Sequence, residues 1–449
     1  MSRCLIFLVI GFTGCASHSE RLRGVRSNFF AGDLQAAQTL LDEGVANRRK
    51  ERDVVMLDKA MIELASGRPD SAERILREVR DRFDHLEQNA LGESAASFLT
   101  DDNTIAYSGE DYEKILVRVF LALSNLMSDG QDAFAYSLQV SAKQQQIIES
   151  DANEEGNNPK SKYKRVAVGA YLAAMIHEES HTNYDKVERS IQQVVNWEPD
   201  FAYGSTDLER AKHGRHSQPG NGVLYVFTLV GRGPYKEQVS AKATSAALLI
   251  ADRILSHNAK YTLPPTISSV KIPAVRREHC GVENVAITID GEAAGMTETI
   301  TDIGELAVQQ YEAVRDQVLA RAVVRRVVKK GVVYAGKDAF LETNNSFANL
   351  AIDLAGVAWE ATETADTRAW GLLPDKIQVC RIELSKGQHR VSLRPHDGSA
   401  GMGPVESTTV MIEDGRNTYL LANFPDRHLV GRILTSGRHQ PDRDNEHGR

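Results

Sequence analysis

Gly32-Asp33-Leu34-Gln35-Ala36-Ala37-Gln38-Thr39-Leu40-Leu41 and Gly67-Arg68-Pro69-Asp70-Ser71-Ala72-Glu73-Arg74-Ile75-Leu76 decide how the first half of the chain folds. In both, alanine follows glycine at the same distance, and two large aliphatic residues come one turn later. Glycine closes a tight turn between helices at little steric cost. The small alanine lets the second helix approach the first, and Leu or Ile fills the groove between them. The glycines lie 35 residues apart, close to the tetratricopeptide period of about 34. Gly130-Gln131-Asp132, with Ala135 and Leu138, is a third copy. Asn183-Tyr184-Asp185, with Val187 in place of alanine and Ile191 after it, is a degenerate fourth that ends at Pro199. Apolar-periodic helices precede the turns at Val54–Leu64, Ile115–Met127 and Val166–Ile176. The pattern predicts four helix pairs over residues 16–200, a TPR-like α-helical repeat array. A non-repeating helical bundle is the alternative. Residues 86–111 and Asp151–Lys162 interrupt the pattern as long connections.

Residues 201–222, rich in Gly, His and Ser, read as a linker. Val223–Val230 is a continuous apolar run and reads as a buried strand. Gly231-Arg232-Gly233-Pro234 lacks the Gly-Lys-Ser/Thr ending of a phosphate loop and reads as a turn. Strands are expected at 267–275 and 284–290, the second closed by Asp290-Gly291, and helices resume at Asp302. Arg321, Arg325, Arg326, Lys329 and Lys330 flank two valine pairs, so that helix has a basic and an apolar stripe; residues 346–361 suit a packed helix. Ile377–Leu384 and His389–Leu393 alternate on either side of Lys386-Gly387 and read as a β-hairpin. Thr408–Ile412 and Thr418–Asn423 flank a second turn, Glu413–Arg416. Residues 223–436 are thus expected to form an α+β domain with a C-terminal β-hairpin and small sheet. Residues 437–449 read as a disordered tail.

Charged residues make up 25% of the chain and hydrophobic ones 42%, a globular balance. The net charge of −8 argues against nucleic acid, which is held by cations on phosphates. No internal apolar run reaches the roughly 20 residues of a membrane span.

Met1–Ser17 carries Arg3, an apolar core from Leu5 to Phe12, then Thr13-Gly14-Cys15-Ala16-Ser17. The core has the length of an export signal. With small residues before a cysteine, residues 1–15 resemble a bacterial lipoprotein signal and lipobox, and the resemblance implies a diacylglycerol on Cys15. An ordinary secretory signal is the alternative. Ala16, where an Asp would retain the protein at the inner membrane, favours the outer membrane, facing the periplasm. Cys4 falls in the signal, which leaves Cys280 and Cys380 in an oxidising compartment. They form either one disulfide or two unpaired buried thiols.

His177-Glu178-Glu179-Ser180-His181 matches the string of zinc peptidases, in which the two histidines hold zinc and Glu178 is the general base. A charged Glu179, the absence of a third ligand and the position at a helix end favour a solvated structural segment instead. Asp366, Arg368, Trp370 and Arg381 form the densest cluster of specific side chains and could anchor a ligand or partner, or be a structural Asp–Arg pair beneath a packed indole. The Cys15 box, Tyr107–Glu113, Val223–Val226 with Gly233-Pro234, and above all Ala365–His389 resemble an uncharacterised family of bacterial tetratricopeptide-type lipoproteins. The resemblance implies architecture and address but no chemistry. The expectation is an envelope lipoprotein that needs no cofactor, meets a protein or peptide through its repeats and the membrane through its lipid, and serves cell-wall or outer-membrane assembly. The alternative is a zinc metallopeptidase.

Overall fold

The computed structural model describes residues 17–45, 50–92, 106–150, 158–256, 263, 267–340 and 364–436. The signal with Cys15, the 346–361 helix and the 437–449 tail lie outside them, as do residues 93–105 of the long connection.

Helices α1 (His18–Arg21), α2 (Arg23–Phe30), α3 (Leu34–Val45), α4 (Arg52–Ala65), α5 (Pro69–Gly92), α6 (Asp111–Leu126), α7 (Ala133–Glu149), α8 (Ala167–Glu179), α9 (Tyr184–Trp197) and α10 (Gly204–Lys212) come first. From α2 on, each packs against the next. The turn glycines Gly32, Gly67 and Gly130 have φ of 87°, 84° and 73°, and Asn183 takes the same left-handed region at 57°. Asparagine is the residue that best replaces glycine there.

Ala37 and Ala72 are fully buried, as their spacing predicts. Ala135 and Leu138 instead face solvent, and Ala133, Tyr136 and Val140 fill the core. The third turn is longer. Asn125 Oδ1 accepts the Asp132 N–H at 2.9 Å, and the helix starts three residues after its glycine rather than two. That rotates its apolar face. Two further expectations are corrected here. Residues 86–92 continue α5, and residues 204–212 of the expected linker fold as α10, with Asp207 and Ala211 buried.

The rest is mixed: β1 (Asn221–Val230), β2 (Tyr235–Ala241), α11 (Ser245–Ser256), β3 (Val270–Arg276), β4 (Asn284–Ile289), β5 (Glu292–Met296), β6 (Glu298–Asp302), α12 (Ile303–Phe340), β7 (Lys376–Ser385), β8 (Gly387–His396), β9 (Glu406–Ile412), β10 (Asn417–Phe424) and β11 (Leu434–Thr435). A five-stranded sheet has the order β11-β10-β1-β7-β6, a four-stranded sheet β5-β4-β8-β9, and β2 pairs with β3 alone. β1 runs parallel to β10 and antiparallel to β7.

From Val223 to Val230, β1 is apolar but for Thr228 because both of its faces are covered. Val223, Tyr225, Phe227 and Leu229 join the core of the helical array. Leu224, Val226 and Val230 join the core shared with the four-stranded sheet. Array, five-stranded sheet and four-stranded sheet thus form three layers. Burying a side chain such as Phe227 stabilises by about 1.5–3 kcal/mol. α11, the β2–β3 ribbon and the middle of α12 make a third, separate core.

The expected β-hairpin at Lys386-Gly387 is not one. β7 belongs to the five-stranded sheet and β8 to the four-stranded sheet, so the chain changes sheets there. Glu413–Arg416 is a second such corner, between β9 and β10. Both corners meet the start of β1: the Lys386 N–H donates to Gly220 O at 2.9 Å and the Gly415 N–H to Asn221 O at 2.8 Å. β1 pairs with β7 along its whole length and leaves no edge there for β8. A Cβ on Gly222 would lie 2.2 Å from Glu413 O, so only glycine fits beneath this corner.

The possible Cys280–Cys380 disulfide is not formed; both thiols are free. Cys280 Sγ accepts the Val282 N–H at 3.3 Å, and Cys380 Sγ faces the Tyr203 hydroxyl at 3.7 Å. Burial pushes the Cys380 thiol up to about 11. Among the described residues, no helix is long and apolar enough to cross a membrane.

Candidate functional site

The most specific chemistry lies where the irregular segment 364–375 enters the helical array. This segment has no ladder partner, so its backbone groups need acceptors and donors from elsewhere. The array supplies three of them as side chains. Glu113 Oε1 accepts the Trp370 N–H at 2.7 Å, and Asp58 Oδ1 accepts the Leu372 N–H at 2.9 Å. Arg26 Nη1 donates to Gly371 O at 2.7 Å. Going the other way, Arg368 Nη1 donates to Lys50 O at 3.0 Å.

Glu113 is the hub. It sits one turn into α6, where its Oε2 accepts the Glu110 N–H at 3.1 Å and closes a capping box. The Tyr107 and Tyr112 hydroxyls also donate to it. All three side chains are buried, and burial raises the Glu113 carboxyl. Burial also raises Asp58, to about 7.

The structure brings three of the four clustered residues together. Arg368 pairs with Asp366 through two bonds of 2.9 and 2.7 Å and lies over the Tyr107 ring. Trp370 is fully buried against Phe120, their centroids 5.4 Å apart. Arg381 is elsewhere: it points from β7 toward His216 O and Glu178. The Asp–Arg pair and the indole therefore clamp the segment to the array.

A second buried network holds the histidine string. Glu178 is 1% exposed and paired with Arg210; its Oε2 accepts from the Tyr225 hydroxyl at 3.2 Å and lies 3.9 Å from Arg381. Arg210 also pairs with Asp207 at 3.0 Å, and burial raises the Asp207 carboxyl to about 6. His177 packs on Phe134, and His181 Nε2 bonds Gly415 O at 2.7 Å. Glu178 is thus a countercharge for arginines, not a base poised over water. Among the described residues, no group of three or more His, Cys, Asp or Glu could hold a metal ion. Glu178→Gln, which leaves Arg210 and Arg381 short of countercharge, is expected to cost about 3 kcal/mol in urea unfolding; a loss under 1 kcal/mol would reject this role.

Asp58 and Arg210 were not among the residues singled out from the sequence, and Glu113 entered only as the last residue of the Tyr107–Glu113 string. Asp58 leaves a signal, a lone carboxylate on the apolar stripe of Val54, Leu57 and Met61. Glu113 leaves a weaker one, an acid beside Tyr112 in a short aromatic string. Compared with known protein families, curated proteins and solved structures, the chain matches none.

Proposed function

We propose that the protein is a non-enzymatic scaffold of the bacterial cell envelope, exported and tethered at the outer membrane by a lipid on Cys15, facing the periplasm. Its helices act as tetratricopeptide-like repeats that hold a protein or peptide partner, in the service of cell-wall or outer-membrane assembly. One observation carries this reading: the array grips an irregular peptide segment by its backbone, through Glu113, Asp58 and Arg26. The segment is the chain's own, but the chemistry is that of peptide capture. The commitment of Glu178 to arginine and tyrosine counts against peptidase chemistry.

Three measurements on the full-length protein in a Gram-negative host test the reading. Mass spectrometry is expected to find a lipid on Cys15, and Cys15→Ser to release the protein from membranes. Crosslinking in intact envelopes is expected to trap a protein through the repeats. An unmodified Met1 on a cytosolic product overturns the address, and stoichiometric zinc lost on His177→Ala overturns the non-enzymatic role.

A further inference from the structure

A cavity between the start of α6, the 3-10 turn Pro159–Lys162, the β2–β3 ribbon and α12 plays no part in that scaffold role. It encloses about 280 Å³, against the 10–15 Å³ or so that a single water needs. Its buried and half-buried charges are matched, and Arg321, which also lines it, is solvent-exposed. Lys236, almost fully buried, pairs with Glu110; Lys160 Nζ lies 2.9 Å from Asp111; Asp366 belongs to Arg368. The tyrosine hydroxyls on its wall are matched too. Tyr112 donates to Glu113, Tyr163 to Asp111 at 3.2 Å and Tyr311 to Pro273 O at 2.6 Å.

Gln310 differs from all of these. It lines the cavity from α12 and is 4% exposed, yet neither its amide oxygen nor its amide nitrogen has a partner among the described residues. A buried carboxamide left this way carries an unrelieved desolvation cost. Gln317 and Val314 line the same cavity at helical spacing, so one stripe of α12 faces it.

We propose that this cavity binds a short, uncharged peptide-like ligand, whose backbone amide pairs with the Gln310 carboxamide. A carboxamide offers a donor and an acceptor side by side, and a peptide group offers the matching pair. A charged ligand would have to break ion pairs that already satisfy one another. Gln317 lies seven residues further on, about 10 Å along the helix axis, the reach of three extended residues at about 3.3 Å each. The ligand is therefore two or three residues long, with blocked or internal ends, and Val275, Val314 and Val318 receive small apolar side chains. Binding here depends on neither the lipid nor the partner of the repeats.

Saturation-transfer NMR on the purified protein tests this with N-acetyl-alanyl-alanine methylamide as the probe. The probe is expected to bind, and zwitterionic dialanine not to compete with it. Gln310→Met, close in shape but without the amide, is expected to weaken binding at least about tenfold. Its melting temperature without ligand is expected to hold or to rise by about 2 °C, since an unpaired polar group is gone. Val314→Trp fills the cavity and leaves the amide in place; it is expected to abolish binding in a protein that still melts cooperatively. No binding by the parent protein, equal binding by Gln310→Met, full competition by dialanine, or unimpaired binding by folded Val314→Trp would each overturn the proposal.

Discussion

Glu113→Ala is expected to lower the unfolding free energy by at least about 4 kcal/mol. Four donors lose their acceptor at once: two tyrosine hydroxyls and the N–H groups of Glu110 and Trp370. Each buried orphan costs about 1–3 kcal/mol, and domains have only about 5–15 kcal/mol in all. The damage has a place as well as a size. Amide exchange at Trp370 and Leu372 is expected to speed up well before the rest of the array opens, since segment 364–375 loses its main anchor. Glu113→Gln keeps one oxygen and should fall between the parent and alanine. A loss below 1 kcal/mol for the alanine variant, or unchanged exchange at Trp370, would remove Glu113 from its central place.

The second large effect is a dependence on pH. Asp58 titrates near 3.8 when exposed and near 7 in the folded protein, chiefly because it is buried. Its folded value is raised, so its contribution is fully present below pH 4. It is lost as the pH climbs toward 7, because the unfolded chain gives up the proton first. The slope is about 1.4 kcal/mol per pH unit, which gives about 4 kcal/mol across that window. Asp58→Asn cannot ionise and keeps an oxygen for the Leu372 N–H. Urea unfolding should therefore show the variant gaining on the parent protein as pH rises from 5 to about 7, with no further gain above that. Parallel pH profiles for the two proteins would show that Asp58 is ionised throughout. Glu113 and Asp207 are raised in the same direction, so the comparison with the variant, not the parent's own profile, isolates Asp58.

What the sequence disclosed depended on how local each feature is. The turns at Gly32, Gly67, Gly130 and Asn183 are set by a single residue's backbone freedom and could be read directly. β1 was legible because burial on both faces demands a run of mostly apolar residues. The corners at Lys386 and Glu413 were misread because a strand's alternation says which face is buried, not which sheet the strand joins. The buried face of α7 was misjudged because one extra turn residue rotates the helix by about 100°. Site residues followed the same rule. Asp366 and Arg368, two apart, could be paired from sequence. The bond from Glu113 to Trp370 spans 257 positions and has no local trace.

β1 lies between two strands made much later, at 376–385 and 417–424. During synthesis the helices can settle as soon as they emerge, whereas this apolar strand must wait for almost two hundred further residues. Such late closure is slow and leaves a sticky edge open. A chain broken off between Val230 and Asn417 would carry that edge permanently. Its natural fate would be clumping or capture by a chaperone rather than a smaller working protein.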